Sequence, residues 1–472
     1  MATISAPTVA VNASFHDAVA PFLQQPGLPF GDVLDADTVE QAFAQRDALF
    51  AADAVFSTPV VLWAFLAQVL RDGKGAACAA AVADIANYMQ ETDGPVPAGD
   101  TGDYCRARAK LDPAALRDLV RRAARQLEAQ ARPEWLWHGH HAKLVDGFTF
   151  TMPDTPANQD AFPQLSTQDP GVGFPIARSC VVLSLATAAA HDLAIGPYEG
   201  KATGEPALLR EMLDAFDPGD VVVFDRYYCS YFMLAQLTRR GADVCARLHQ
   251  CRAENFQPSG CLGSRDRRVT WMRPKRPAWM TPEDYEQIPE ALTLRLIEFD
   301  VIESGRRVER ILVVTTLLDP VAYPAEEIAT LYGYRWNAEL DIRSVKHPLG
   351  LDHLRCKSPA MIEREVWATL LAYNLIRKVI ATAAAAHDKQ PRQLGFTLAC
   401  QEILSSWMLL ATGASRDPRQ AAEATLARIA ANEVANRPGR IEPRVLKRRR
   451  HRYPLMHEPR DVLRAKLASA QP

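Results

Sequence analysis

Five polar side chains recur at helical spacing in a short segment of the last third of the chain. They are Tyr332, Arg335, Glu339, Arg343 and Lys346, separated by steps of three, four, four and three residues. These steps match the 3.6-residue period of an α-helix, so we expect a single helix that carries all five on one face. A carboxylate among three cations and a phenol could bind a metal ion and a phosphate together. The alternative is a solvated helix face with ion pairs one turn apart, such as Glu339 with Arg335.

Two aspartates extend this chemistry, because each ends an apolar run that predicts a buried strand. Asp146 ends a run that begins at Ala142, and Asp225 ends one that begins at Asp220. Carboxylates at the carboxyl ends of strands lie at the edge where open α/β sheets bind ligands. A turn role is the alternative, and it suits Asp146, which precedes a glycine, better than it suits Asp225.

Together with Glu339, the two aspartates give three carboxylates from three distant segments. Such a trio can hold two divalent cations, and Mg²⁺ prefers oxygen ligands while keeping several waters. Two ions activate the attacking oxygen and stabilise the leaving oxygen at a phosphodiester. Arg335, Arg343 and Lys346 would then bind flanking phosphates, which arginine can do bidentately.

The composition, 48% hydrophobic and 23% charged, is typical of a soluble globular protein. The length of 472 residues predicts about two to four domains. A net charge of −2 gives no global case for nucleic-acid binding, so any such case depends on local clusters. The start has no basic segment of the kind that secretion signals carry, and the apolar run 180–190 is too short to cross a bilayer. Nine cysteines without a Cys-x-x-Cys pair indicate free thiols. We therefore expect a cytoplasmic protein with no membrane segment.

Basic residues cluster in a segment that reads as one helix. Residues 106–132 hold eight basic and three acidic residues, and Asp112 before a proline predicts the start of a helix that runs to about Arg132. Arg117, Arg121 and Arg125 then repeat every four residues on that helix. Such a face is a candidate for contacting phosphates, and a solvated face is the alternative.

Strands alternate with helices between residues 142 and 249, which predicts an α/β domain. The predicted strands after the first are 180–187, 220–225 and 243–248, and the predicted helices are 205–216 and 228–239. Residues 250–310 are rich in Pro, Gly and Arg and, with strands at 292–299 and 310–316, read as a β-rich insertion. Helices resume at 326–346, 361–387, 393–411 and 418–432. The chain closes with a basic run, 437–460, of nine Arg or Lys and two Glu, which is either a nucleic-acid arm or a solvated tail.

The spacing Tyr-(2)-Arg-(3)-Glu-(6)-Lys of Tyr332, Arg335, Glu339 and Lys346 is also a family signature. With it, and with Asp146 before Gly and Asp225 in an Asp-Arg-Tyr-Tyr context, the sequence resembles the bacterial DDE transposases of the insertion sequence four family. The resemblance covers roughly residues 35–460. The four-residue signature is specific, whereas a lone Asp-Gly is weak.

The resemblance implies a multidomain α/β fold with a ribonuclease-H-like catalytic domain, that is, a mixed sheet flanked by helices and interrupted by the β-rich insertion. It implies these segments, numbered as in this sequence: a loose N-terminus 1–14, a helical DNA-binding domain 15–135, the first catalytic part 136–249, the insertion 250–318, the second catalytic part 319–390, a C-terminal helical region 391–436 and a basic tail 437–472.

It further implies cut-and-paste transposition by Asp146, Asp225 and Glu339 around two Mg²⁺ ions, with Mn²⁺ as a substitute. Water nicks the element's end, the 3′-hydroxyl forms a hairpin with the opposite strand, and the reopened end joins target DNA. The implied partners are double-stranded DNA, both terminal inverted repeats and target, and a second copy of the chain in a homodimer. No membrane is involved, and the implied location is the bacterial cytoplasm, at the nucleoid during action.

The resemblance also suggests which side chains touch DNA. Tyr332, Arg335 and Lys346 would hold phosphates near the cut, while Arg343 shares their face but lies outside the signature. A tryptophan in the insertion would stabilise a flipped base, and stacking beside arginines is physically sensible. The candidates for this and for neighbouring contacts are Trp271, Trp279, Arg273, Arg276 and Arg226. Either tryptophan could instead be a buried structural residue.

Three other functions remain open at this point. A metal-dependent nuclease of the same fold would cut without joining. A domesticated DNA-binding protein would do neither, and a scaffold protein would leave the three acids and the basic clusters unexplained.

Overall fold

The computed structural model of the chain describes most of the sequence outside its two ends. The described residues are 36–43, 55–71, 73–91, 94–200, 203–249, 252, 256–301, 309–411, 418–434 and 454–469. The predicted loose N-terminus, 1–14, and most of the predicted basic run, 437–460, lie outside them. Two compact units make up the chain. Unit 1 comprises Met1–Leu136, Ala186–Asp192 and Leu340–Val434, and unit 2 comprises Trp137–Leu185, Leu193–Glu339 and Ala435–Pro472.

The structure contains helices and strands in the mixture expected of an α/β protein. The described helices are α1 (Ala36–Phe43), α2 (Thr58–Val69), α3 (Cys78–Glu91), α4 (Gly102–Lys110), α5 (Pro113–Ala129), α6 (Pro156–Ala161), α7 (Glu205–Arg210), α8 (Tyr231–Arg239), α9 (Pro282–Glu286), α10 (Ala325–Gly333), α11 (Trp336–Lys346), α12 (Pro359–Ala386), α13 (Phe396–Ala411), α14 (Pro418–Ala431) and α15 (Arg460–Ser469). The strands are β1 (Ala142–Thr151), β2 (Ile176–Ser184), β3 (Ala190–Pro197), β4 (Val221–Phe224), β5 (Asp243–Arg247), β6 (Phe256–Gly263), β7 (Asp266–Met272), β8 (Ala291–Val301) and β9 (Glu309–Thr315).

Unit 1 is built around the long helix α12, which packs against α2, α5, α13 and α14. This helix is apolar on most of its circumference and is buried almost from end to end, as expected of a central helix. The predicted start of α5 is confirmed, since Asp112 Oδ1 accepts a hydrogen bond from the Ala114 amide at 2.8 Å. The helix ends at Ala129, earlier than the predicted Arg132. Arg132 precedes Pro133 and has an extended backbone, the conformation that a following proline favours.

One nine-stranded mixed sheet, in the order β3-β2-β1-β4-β5-β9-β8-β7-β6, contributes most of unit 2. The predicted α/β class is thereby confirmed. β1, β4 and β5 are parallel neighbours, whereas β1 pairs antiparallel with β2, and β5 pairs antiparallel with β9. All four residues of β4 are buried, as expected for a central parallel strand covered on both faces.

The register between β1 and β4 places the two aspartates at one level of the sheet. Leu144 pairs with Val223 in the last parallel pair, and Asp146 and Asp225 each follow two residues later. The prediction that the first strand ends at Asp146 is wrong, because β1 continues to Thr151 while paired with β2. The pairing of β1 with β4 ends before Asp146, so these two strands separate at the level of the two aspartates.

Several elements depart from the sequence-based expectations for local reasons. β3 was not predicted, because buried charged residues interrupt its apolar pattern. β6 was not predicted because it contains Pro258; it lies at an edge of the sheet, where a missing amide hydrogen is tolerated. The predicted helix 228–239 begins only at Tyr231, since the Ser230 hydroxyl caps it by accepting from the Met233 amide at 3.3 Å. The predicted helix 205–216 ends at Arg210, and a short 3₁₀ turn at Leu213–Ala215 follows it.

The four strands β6 to β9 follow one another antiparallel and extend the sheet outward from β5. They cover most of the segment predicted as a β-rich insertion. The seven-segment division of the chain stays a prediction. Within the part of the chain that the structure describes, no helix is both long and apolar enough to cross a membrane.

Candidate active site

Asp146, Asp225 and Glu339 share one electrostatic environment in unit 2. The pKa of Asp146 is raised to about 6, chiefly by burial; the negative charges of Asp225 and Glu339 contribute to the rise, while Arg335 and the Gly147 amide oppose it. Asp146 comes from the middle of β1, Asp225 directly follows β4, and Glu339 lies in the first turn of α11. The structure thus places Asp225 and Glu339 near enough to Asp146 for their charges to act on it.

The two aspartates also make the local hydrogen bonds that the turn interpretation expects. Asp146 Oδ1 accepts from the Gly147 amide at 2.9 Å, and Asp225 Oδ1 accepts from the Tyr227 amide at 2.6 Å. Each bond uses one carboxylate oxygen and leaves the second oxygen for other contacts. These hydrogen bonds orient the carboxylates and are compatible with a role in a site.

Arg335 stands between two of the three acids. Its Nη1 lies 3.2 Å from Asp146 Oδ2, and its Nη2 lies 3.9 Å from Glu339 Oε1. The ion pair one turn apart that was the alternative interpretation of this segment is therefore present, though it is long. A single guanidinium neutralises part of the charge of two carboxylates.

The expectation of one helix over 326–346 is wrong, because the chain leaves the helix at Tyr334 and Arg335. α10 ends at Gly333, and the Arg335 amide donates to the Tyr332 carbonyl at 3.1 Å in a tighter turn before α11 begins. Glycine has a low helix propensity, which favours a break there. As a result Tyr332 lies on α10, Arg335 lies in the turn, and the remaining signature residues lie on α11.

The signature residues differ in how accessible they are. Tyr332 is 8% exposed, and burial raises the pKa of its phenol. Lys346 Nζ forms an ion pair with Asp352 at 2.9 Å, within unit 1. Arg343 is exposed, and so is Arg226, which directly follows Asp225. The binding roles of these residues stay predictions.

The arginines predicted to contact phosphates along α5 have other partners in unit 1. Arg117 donates to both carboxylate oxygens of Asp192, at 2.8 and 2.6 Å, and Arg121 pairs with the same carboxylate. Asp192 is fully buried. Arg125, in contrast, is exposed. Asp192 could not be predicted as their partner, since it lies far along the chain from these arginines. DNA contacts by the three arginines stay predictions.

The two candidate tryptophans have different environments. Trp271 is 4% exposed and packs edge-on against Tyr231 and Phe256, so the buried structural interpretation describes it. Trp279 is 45% exposed, and the Arg210 guanidinium lies 3.9 Å from its ring centre. An incoming ring could therefore reach Trp279 without opening the core.

The two arginines near these tryptophans are already engaged. Arg273 donates to the Tyr285 and Ile288 carbonyls at 2.9 and 2.7 Å, and Arg276 donates to the Met280 carbonyl. These bonds brace the loop between β7 and β8. A DNA contact by Arg273 stays a prediction.

Glu205, at the start of α7, is an acid that the sequence analysis missed. Its carboxylate lies against the backbone of Gly147 and accepts a hydrogen bond from the Tyr228 hydroxyl at 2.9 Å. No spacing in the sequence relates Glu205 to Asp146. The one available signal is that Glu205 is an acidic residue at the start of a predicted helix.

The donor atoms of this region fit a divalent cation in their chemistry. The carboxylates of Asp146, Asp225 and Glu339 are hard oxygen ligands. Their negative charges repel one another, and a bound divalent cation would relieve that repulsion. As the side chains stand, no three Asp, Glu, His or Cys residues in the described ranges converge closely enough to hold an ion. Arg335 provides the cation between two of them instead.

The raised pKa of Asp146 predicts a pH-dependent stability. Because the pKa of about 6 in the folded protein exceeds its ordinary value of 3.8, the stability that this group contributes is fully present below about pH 4 and is lost as the pH rises through about 6. Asp146→Asn stays uncharged. We therefore expect wild-type protein to lose up to about 3 kcal/mol of unfolding free energy relative to this variant between pH 4 and pH 7.

Urea unfolding in a buffer with a chelator measures this difference at each pH. Asp160→Asn, at an exposed position of α6, is the matched control and should give a difference that stays flat. A flat difference for Asp146→Asn as well would contradict the buried, charge-crowded environment described for Asp146.

Comparisons with known proteins point to one family. Residues 137–375, about half of the chain, match the family model described as Transposase DDE domain. The chain is 24% identical over 439 residues to transposase InsG for insertion sequence element IS4 of Escherichia coli (strain K12), which covers 92% of this chain and 94% of that protein. It is 34% identical over 101 residues to the transposase for insertion sequence element IS421 of Escherichia coli, which covers 21% of this chain and 25% of that protein. Among solved structures, the cryo-EM structure of the piggyBac transposase synaptic complex with hairpin DNA is similar with a TM-score of 0.41 at 7% identity, covering 90% of this chain and 88% of that one.

Proposed function

Because this chain belongs to the DDE transposase family, and within it to the insertion sequence four group, we propose that it moves an insertion sequence by cut-and-paste transposition. It is a DDE-type DNA transposase, and its family uses divalent metal ions. The observation that carries the proposal is that Asp225 and Glu339, which come from distant segments, both lie near enough to Asp146 for their charges to raise its pKa. In this proposal the three acids are the catalytic residues.

We assign the metal-binding role to the same three carboxylates, with two Mg²⁺ ions as the natural occupants and Mn²⁺ as a substitute. Bound there, the ions would supply Lewis acidity toward a phosphodiester, both for the attacking and for the leaving oxygen. The carboxylates orient the reacting phosphate by fixing where positive charge can lie. Arg335 then exchanges Asp146 for a DNA phosphate, since a guanidinium donates to carboxylate and phosphate oxygens alike.

The sheet supports a ribonuclease-H-like interpretation of the catalytic domain. The strand order β3-β2-β1-β4-β5, with β1, β4 and β5 parallel, is the arrangement that this interpretation requires. The antiparallel strands β6 to β9 lie in the chain between Asp225 and Glu339, where the interpretation places its insertion.

Trp279 is the residue that we propose to stack on a flipped base during hairpin formation. Its exposed ring and the Arg210 guanidinium 3.9 Å from it supply an aromatic face and a positive charge together. Trp271 is set aside because its ring is in the core. The proposed partners are the terminal inverted repeats, target DNA and a second copy of the chain, and the proposed location is the bacterial cytoplasm at the nucleoid.

A strand-transfer assay separates a transposase cycle from a nuclease that cuts without joining. The DNA that flanks the gene supplies the substrate, since inverted repeats bordered by short direct repeats mark the element ends. With a pre-cut end, a target plasmid and Mg²⁺, we expect joined products that disappear when a chelator is added. Cleavage of an intact end without any joining would instead favour the nuclease.

A further inference from the structure

We propose that unit 1 contains a binding site for a phosphate-sized oxyanion, at the beginning of α3 and beside the buried Arg108. A cavity of about 130 Å³ lies there. It is separate from the three acids of the proposed active site, so the inference goes beyond the proposed function. The polar and charged residues that line the cavity all belong to unit 1. They are Gln68, Cys78, Arg108, Arg355, Cys356 and Glu365.

The first observation is a buried guanidinium that has no carboxylate partner. Arg108 is 9% exposed, and no carboxylate lies within ion-pair distance of it in the part of the chain that the structure describes. Its Nη1 donates to Gln68 Oε1 at 2.8 Å, whereas its buried Nε has no hydrogen-bond partner there. The Phe65 and Tyr104 rings lie 4.8 and 5.5 Å from the guanidinium and attract its charge, but they give Nε no oxygen acceptor. A bound anion would supply both the acceptor and the missing negative charge.

The second observation is that the beginning of α3 has no side-chain cap. Ala77, which precedes this 14-residue helix, carries no side-chain acceptor. The amides of Cys78 and Ala79 donate no hydrogen bond within the described ranges. The first amides of a helix lack partners in the helix itself, and the helix dipole adds a positive potential there, so such an end favours an anion.

Gln68 connects these two features. Its Nε2 lies 3.7 Å from Cys78 Sγ at the beginning of α3, while its Oε1 accepts from Arg108. Ala77 and Cys78 line the same cavity as Arg108. The uncapped helix end and the unpartnered guanidinium nitrogen therefore border one space, and a single anion placed in it could accept from both.

The third observation is that the acceptors in the cavity wall are already occupied. Both oxygens of Glu365 accept from the Arg355 amide at 3.0 Å, and Oε2 also accepts from the Cys356 amide at 2.9 Å. Gln68 Oε1 accepts two hydrogen bonds, at 2.8 and 3.0 Å. The lining also contains two arginines against one glutamate. The unused groups are therefore donors, and the ligand that suits them is an acceptor with negative charge.

The size of the cavity limits this ligand to a small group. Its volume of about 130 Å³ is well below the roughly 300–1,000 Å³ of pockets that enclose drug-sized ligands. A single phosphate group fits this description, because its oxygens accept several hydrogen bonds and carry the charge that arginine and helix ends bind. Inorganic phosphate and a phosphate of the DNA backbone share this chemistry, and competition between them distinguishes the two sources.

Calorimetric titration of the full-length protein with inorganic phosphate, at constant ionic strength, measures binding at this site. We expect wild-type protein to bind and Ala77→Asp to bind at least about tenfold more weakly, because the new carboxylate repels an anion and accepts from the free amides of α3. Since the same carboxylate caps the helix, the melting temperature of the variant should not fall. Ala114→Asp, at an exposed position in the first turn of α5, is the matched control and should bind as wild type does. Wild-type affinity in Ala77→Asp, or no phosphate binding by wild type, would overturn the inference.

Arg108→Lys tests the other side of the cavity. Lysine keeps the positive charge but lacks Nε and the planar fork of donors, so we expect phosphate to bind at least about tenfold more weakly. Arg106→Lys, at an exposed position of the same helix α4, should bind as wild type does. Phosphate should accordingly raise the melting temperature of wild type and of Arg106→Lys more than that of Arg108→Lys. Equal phosphate affinity in the two variants would overturn the inference.

Fluorescence anisotropy with a labelled DNA duplex identifies the source of the phosphate. DNA affinity is measured with and without saturating inorganic phosphate, and chloride is used to match the ionic strength. If the site takes a DNA phosphate, inorganic phosphate lowers the DNA affinity of wild type but not that of Ala77→Asp. If the site takes free phosphate, the DNA affinity of both proteins is unchanged. Both results support an oxyanion site, and neither depends on strand cleavage, so failure of this inference leaves the proposed function untouched.

Discussion

Glu339→Gln is expected to lower the rate of Mg²⁺-dependent strand cleavage by about 10²–10³-fold, while binding of the element end stays close to wild type. The magnitude follows because one group that stabilises charge in a reaction centre is typically worth roughly 10²–10³ in rate. Glutamine keeps the volume of the side chain but removes the charge. Among the described contacts Glu339 pairs with Arg335 at 3.9 Å, which is too long for its loss to disturb α11.

Cleavage of a labelled end and a gel-shift titration measure the two quantities on one protein preparation. Glu326→Gln, at an exposed position of α10, is the control for the loss of one negative charge and should cleave as wild type does. A cleavage rate for Glu339→Gln within a few-fold of wild type would remove Glu339 from the active site. A loss of end binding in parallel with cleavage would point to a structural role for Glu339 instead.

The second large effect is expected on stability, at Asp341 in unit 1. Asp341 is 2% exposed and holds two arginines, Arg377 at 3.0 Å and Arg392 at 2.8 Å. Arg377 is itself 4% exposed and also lies over the Tyr373 ring. Asp341→Ala would leave the buried guanidinium of Arg377 without its carboxylate. Because breaking a buried ion pair by removing one partner costs about 3–5 kcal/mol, we expect a loss of that size in the free energy of unfolding.

Chemical denaturation of the variant, monitored by circular dichroism, measures this loss. Asp388→Asn is the matched control, since Asp388 pairs with Arg132 at 3.4 Å but its side chain is 97% exposed. Asparagine also tolerates the positive φ of 55° at this position. We expect a change of about 0.5 kcal/mol or less for the control. A loss below about 1 kcal/mol for Asp341→Ala would mean that the arginines find other partners.

The parts of the fold that the sequence predicts well are those decided by local pattern. The four buried residues of β4 stand out as an apolar run, and Asp225 follows them directly. The Asp112 cap and the proline after it determine where α5 begins. In both places a short stretch of the sequence contains the whole physical reason for the structure.

The parts that the sequence does not predict depend on contacts between distant residues or on a weak local preference. The break between α10 and α11 follows a single glycine within a segment whose spacing otherwise fits one helix. Glu205 lies against Gly147 only because the fold brings α7 to β1, and Asp192 accepts Arg117 for the same kind of reason. Local sequence patterns therefore predicted the three acids but not the groups that surround them.

The central claim is the proposal that Asp146, Asp225 and Glu339 hold the catalytic cation. Its most direct test is the metal preference of Asp225→Cys. A thiolate is a soft ligand that suits Mg²⁺ poorly and suits Mn²⁺, later in the stability order, better. The measurement is the ratio of cleavage rates in Mn²⁺ and in Mg²⁺, with wild type as the reference. The account predicts that the substitution raises this ratio at least about tenfold. A ratio equal to that of wild type would contradict it, because the ion would then be indifferent to the atom that position 225 presents.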